Sequence, residues 1–155
     1  MMRRLRRWLT TRDDGQLSIL VVGFFVIVSV LVLGGIDVTA AQLTRVRLLD
    51  AADAIALDAA DALDESGAYD RGLDGSVAVS AATVREAAAE SLAARPFPSG
   101  IVAWGLSPGT GSPDGASAVV ALTGTANLPI SGPILDALGG EVTITVTSRA
   151  RAVLQ

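Results

Sequence analysis

Residues 17–36 read LSILVVGFFVIVSVLVLGGI, and the uncharged window around them covers residues 15–36, between Asp14 and Asp37. As a helix rising 1.5 Å per residue, those 22 residues reach about 33 Å, enough for a hydrocarbon core of about 30 Å. A buried helix of a soluble protein seldom needs so many apolar residues without a polar face. A cleaved secretory signal fits less well, because the apolar run exceeds the usual length. Its small-residue exit at Gly34 and Gly35 also continues into a helical pattern without a break. The stretch predicts a single membrane-spanning helix.

On its N-terminal side, residues 1–16 form a short basic arm, MMRRLRRWLTTRDDGQ. Arg3, Arg4, Arg6, Arg7 and Arg12 stand there against Asp13 and Asp14, a net charge of +3. From residue 37 onward, seven Arg face fourteen acidic residues, a net charge of −7. Positive charge gathers on the cytoplasmic side of a span, so the arm is expected in the cytoplasm and the rest of the chain outside. The expected location is the cytoplasmic membrane, crossed once. Trp8 suits the inner headgroup boundary, and Asp37 marks the outer one. A sharper role for Asp37 is pairing with an Arg or an N-terminal amine of a neighbouring subunit. Asp14 is placed to cap the helix that follows. Five Arg beside a span need no nucleic acid to explain them.

On the C-terminal side the helical pattern continues. Residues 37–65 contain neither Gly nor Pro and are dominated by good helix formers. On a helical wheel Leu48, Ala52, Ile55, Ala59 and Leu63 fall on one face, while Asp50, Asp53, Asp58, Asp61 and Asp64 fall opposite. Span and amphipathic extension together make one rod of about 73 Å, which Ser66 and Gly67 are expected to end. The narrow, alanine-lined stripe suits close packing against another helix. It suits equally a cover over the sheet of its own domain. Gly23, Gly34 and Gly35 are small positions where a neighbouring helix could approach, though they form no GxxxG pair.

Residues 66–155 leave room for one small exported domain. Residues 66–75 are turn-rich, and Val77 and Val79 alternate as in a short strand. Residues 80–95 read as a second helix, with a capping-box pattern at Thr83 and Glu86 and with Val84, Ala88 and Leu92 on one face. Pro96 and Pro98 close it. Strands are expected from Ile101, over residues 117–123 and over residues 141–154, with a helical turn at residues 133–138. In the last strand Val142, Ile144, Val146, Ser148, Ala150 and Ala152 alternate with Thr143, Thr145, Thr147, Arg149, Arg151 and Val153. The fold class is α+β: a long N-terminal transmembrane helix extended into a small exported domain with a mostly antiparallel sheet.

The composition speaks against catalysis. The chain has no His, no Cys and no Lys, which removes the commonest general base, thiolate chemistry, Cys/His metal sites and a lysine-activated serine. No catalytic residue, metal site, cofactor or small-molecule substrate is expected. The five Asp of the extension lack the loop spacing of a calcium site and lie on a rigid helix. They read as a solvated face or as an electrostatic surface toward a partner.

The residues carry a resemblance as well. The basic arm, Asp14-Gly15-Gln16, the apolar run, Gly34-Gly35-Ile36-Asp37-Val38 and the segment LLDAADAIALDAA at residues 48–60 together resemble the start of TadG-like and TadE-like proteins. These are pseudopilins or minor pilins of the Tad (Flp) pilus-assembly systems. The resemblance covers residues 12–62. It implies a membrane-anchored exported protein that supports or joins a thin pilus, whose partners are membrane lipid and other pilus or secretion proteins met through the long helix. It also implies a candidate processing site between Gly15 and Gln16, as in prepilin-like relatives. The fifth residue of such a mature chain is Leu20, where type IV-like pilins carry Glu. The other class left open is a membrane-tethered envelope or secretion-associated binding protein unrelated to pili.

Overall fold

A computed structural model describes residues 13–71, 81–115 and 117–151, with the side chains of residues 13–14 and 62–71 excepted. The first helix, α1, is Asp13–Arg71, 59 residues and so about 88 Å long. It includes both the apolar run and the amphipathic extension in one unbroken element. Two expectations about its ends are corrected. Asp14 lies inside the helix, one residue past its start, so it does not occupy a capping position. The helix also passes through Ser66 and Gly67. A lone glycine costs a helix only about 1 kcal/mol, and the long run of helix before Ser66 makes continuation easier than a fresh break.

The helix α2, Ala81–Ala94, begins two residues ahead of Thr83. Thr83 therefore sits within the first turn and does not form the expected capping box. Pro96 ends the helix as expected. Strands β1 (Ile101–Leu106), β2 (Ser117–Ala126) and β3 (Val142–Arg151) form one antiparallel sheet in the order β1-β2-β3. A short helix, α3 (Gly132–Ala137), lies in the connection from β2 to β3. The alternation in β3 holds in the structure: Val146 and Ala150 are buried, while Thr143, Thr145, Thr147, Arg149 and Arg151 are exposed. The strand expected around Val77 and Val79 lies outside the described residues.

The outer half of α1 and α2 pack against one face of this sheet. Leu48, Ala52, Ile55, Ala56 and Ala59 of α1 share a core with Val84 and Ala88 of α2 and with Ala118, Val120, Leu122, Val146 and Ala150 of the sheet. The many alanines let the helix approach the strands closely. Gly124 serves the same end in β2. A Cβ there would stand 3.3 Å from Leu48 Cδ2 and 3.4 Å from Ile101 Cγ2, so the bare backbone leaves Leu48 its place. The inner half of α1 has no such cover. From residue 15 to residue 36 no side chain is buried, and the stretch is long and apolar enough to cross a membrane.

Candidate functional site

The charge-free run ends at Ile36, and the next residue, Asp37, is a carboxylate only 9% exposed. One of its oxygens accepts a hydrogen bond from the backbone N–H of Ile130 at 2.9 Å, the other from that of Ser131 at 2.8 Å. These two residues lead directly into α3, which begins at Gly132. The Ser131 hydroxyl is the largest influence on the carboxyl. Together with the two N–H groups it holds Asp37 below its ordinary value of 3.8, against the opposing effect of burial. The carboxylate at the end of the span thus clamps the β2–β3 connection of its own chain. No cation of a neighbouring subunit is needed to explain it.

Further contacts tie the domain to α1 along the same side. Thr44 is buried, and Gly100, at a φ of +87°, passes so close that a Cβ there would lie 2.8 Å from Thr44 Oγ1. Arg47 Nη1 donates to the carbonyl of Ser99 at 2.9 Å. Farther out, Asp58 accepts hydrogen bonds from Ser91 Oγ at 2.6 Å and from Arg95 Nη2 at 2.7 Å. The Ser91 hydroxyl, then the Arg95 guanidinium, lower the Asp58 carboxyl below its ordinary range. The domain-facing stripe of α1 therefore runs Asp37, Ala41, Thr44, Leu48, Ala52, Ile55, Ala59, at spacings of three and four.

The residues singled out from sequence divide accordingly. Leu48, Ala52, Ile55 and Ala59 are fully buried, but by the chain's own sheet and α2; Leu63 lies outside the described side chains. Of the acidic series, Asp50, Asp53 and Asp61 are exposed. Asp58 is exposed as well but also pairs with Ser91 and Arg95 of the α2 side, and Asp64 lies outside the described side chains. Gly15 and Gln16 are exposed in the first turns of α1. Trp8, Arg3, Arg4, Arg6, Arg7 and Arg12 lie outside the described residues. Sequence reasoning missed Thr44 and Ser131. The three-and-four spacing from Asp37 to Leu48 carried the signal, but polar residues do not register in a search for apolar stripes.

On the side of α1 turned away from Asp37, a shallow groove is lined by Val32, Gly35, Ile36, Thr39, Ala40 and Leu43. Thr39 Oγ1 donates back to the Gly35 carbonyl at 2.8 Å, which satisfies the hydroxyl within the helix. The groove is uncharged and open, a surface for packing. Among the described residues, no group of three or more acidic side chains comes together as a metal ion would require.

Comparison with known families finds a match on this helix. Residues 15–62 match the model of the Tad family, described as Flp pilus-assembly TadE/G-like. The matched stretch is about a third of the chain and falls wholly within α1. Over that stretch the chain is similar to TadE/G-like proteins, and the helix is long and apolar enough for a single-pass membrane anchor. No curated protein and no solved structure matches the chain.

Proposed function

We propose that this protein is a membrane-anchored, pseudopilin-like or accessory component in the assembly of a Tad/Flp-type pilus. It acts by helix packing rather than by catalysis. The observation that carries this reading is the coincidence of the TadE/G-like match with a helix whose inner half is apolar and uncovered on every side. The Arg-rich arm supports a cytoplasmic N-terminus with the α+β domain outside. Leu20 stands where a processed pilin would carry Glu, which favours an arm kept as a permanent anchor over cleavage between Gly15 and Gln16; the intact mass of the protein from its own envelope decides between the two.

The domain already covers the Leu48–Ala52–Ile55–Ala59 face, so a partner helix must use another surface. The groove around Gly35 is one. A photo-crosslinking residue at Leu43, introduced in the living host cell, tests this. Adducts with other pilus-assembly proteins are expected from position 43 and not from Thr147 on the exposed sheet face. If position 43 gives none, and deletion of the gene leaves piliation intact, the envelope-tethered binding protein becomes the correct reading.

A further inference from the structure

The connection from β2 to β3, residues 127–141, reads NLPISGPILDALGGE and carries two ionisable side chains, Asp136 and, at its end, Glu141. Its large apolar residues are not put away. Ile130 is 37% exposed, Ile134 62% and Leu138 79%. Ile134 and Leu138 stand one helical turn apart, with the Leu138 N–H donating to the Ile134 carbonyl at 3.2 Å. Asp136, two residues on from Ile134, falls on the opposite side of the turn. Single exposed apolar residues are ordinary, but three within nine positions of an otherwise uncharged face are a patch.

The position of the patch in the molecule says what covers it. Asp37 holds Ile130 and Ser131 by their backbone N–H groups, and Asp37 is the residue directly after the apolar span. The patch is therefore fastened beside the end of the span. The burial of Asp37 has a second effect: its charge is withdrawn from the outer surface of α1. The next charged residue is Arg45, so α1 exposes no charge from residue 15 to residue 44, with Val38 and Leu43 both exposed in that interval. Counted from residue 37, the last eight of these residues add about 12 Å of helix beyond the apolar span, enough to cross the outer headgroup layer that flanks a hydrocarbon core of about 30 Å. The patch starts at Ile130, which is held at the level of Asp37, where that layer begins.

We infer that Ile130, Ile134 and Leu138 dock into the outer headgroup layer of the same membrane that α1 crosses. The domain is then attached at two places, by the span and by the α3 segment beside it. Rotation of α1 about its own axis is restrained, and the groove around Gly35 keeps a fixed heading in the membrane. The inference rests on α1 spanning the bilayer.

The chain has no cysteine, so single thiols can be placed at will. The full chain carrying Ile134→Cys, Leu138→Cys, Asp136→Cys, Leu57→Cys or Val28→Cys is labelled with an environment-sensitive fluorophore. It is then reconstituted into vesicles of phosphatidylethanolamine and phosphatidylglycerol with nitroxide lipids of shallow or deep position. Labels at 134 and 138 are expected to be quenched by shallow nitroxides several-fold more than labels at 136 and 57. The label at 28 is quenched by deep nitroxides. Labels at 134 and 138 as unquenched as the one at 57, with 28 still quenched, would overturn the docking and leave the span standing. Excimer emission between pyrene labels at 134, without lipid quenching, would assign the patch to a second copy and overturn it too. No deep quenching at 28 would remove the span, and the docking with it.

Discussion

Asp37 shows how much one carboxylate can organise. It lies at the point where the chain leaves the apolar run, and its two oxygens take the N–H groups of residues 93 and 94 positions away. In Asp37→Ala those donors lose their acceptor, and a buried N–H without a partner is costly. Hydrogen exchange at the Ile130 and Ser131 amides is expected to quicken several-fold, while the amides of residues 50–60 stay protected; unchanged exchange at 130 and 131 would count against the clamp. The pH dependence has a definite sign. Because the folded carboxyl titrates below its ordinary value of 3.8, the clamp is complete above that value. It is lost as pH falls through the lower folded value, so the same amides should lose protection only in acid. That Asp37 bounds the apolar run was legible in the sequence, because a charge after an apolar run is a local signal. Its role as a clamp was not, because the partners are backbone groups far along the chain and the backbone leaves no mark in a residue string.

The helix α1 is one element in two surroundings. Its inner half is apolar all round and its outer half presents a narrow stripe to a sheet, so the continuity and both patterns could be read directly from residue spacing. The face of the outer half was legible too, but not its occupant: an alanine-lined stripe fits a foreign helix as well as a sheet. The structure gives the stripe to β2, β3 and α2. The glycines were harder to weigh. Gly67 resembles a helix end and is passed over, whereas Gly100 and Gly124 resemble ordinary loop and strand residues yet make room for Thr44 and Leu48. The energetics of the outer half should follow burial and not charge. Leu48 is fully buried, and Leu48→Ala is expected to cost about 2–5 kcal/mol. The Arg95–Asp58 pair is half exposed, and Arg95→Ala should cost less than about 1 kcal/mol. Denaturant unfolding of the domain in detergent, followed by the fluorescence of Trp104, measures both. Equal losses would mean that the ion pair, rather than the core, fastens α2 to α1.

In the molecule taken together, the family likeness and the fold are distributed differently. The TadE/G-like match is confined to α1, yet α1 contributes Leu48, Ile55 and a row of alanines to the core of the domain that follows. The apolar run and the domain are thus not separable pieces, because the domain is built on the same helix. The three-stranded antiparallel sheet could be anticipated from the alternation in β3 and the turn residues between strands. The fastening of Ile130 and Ser131 to α1 could not, since it depends on the Asp37 clamp. The account as a whole requires that α1 cross the membrane with the domain outside. The most direct test is labelling of intact cells with a membrane-impermeant maleimide, using the otherwise cysteine-free chain carrying either Thr10→Cys or Asp53→Cys. Position 53 is expected to react in intact cells and position 10 only after the membrane is opened. Reaction at position 10 with protection at 53 would reverse the orientation, and reaction at both in intact cells would mean that α1 does not span the bilayer.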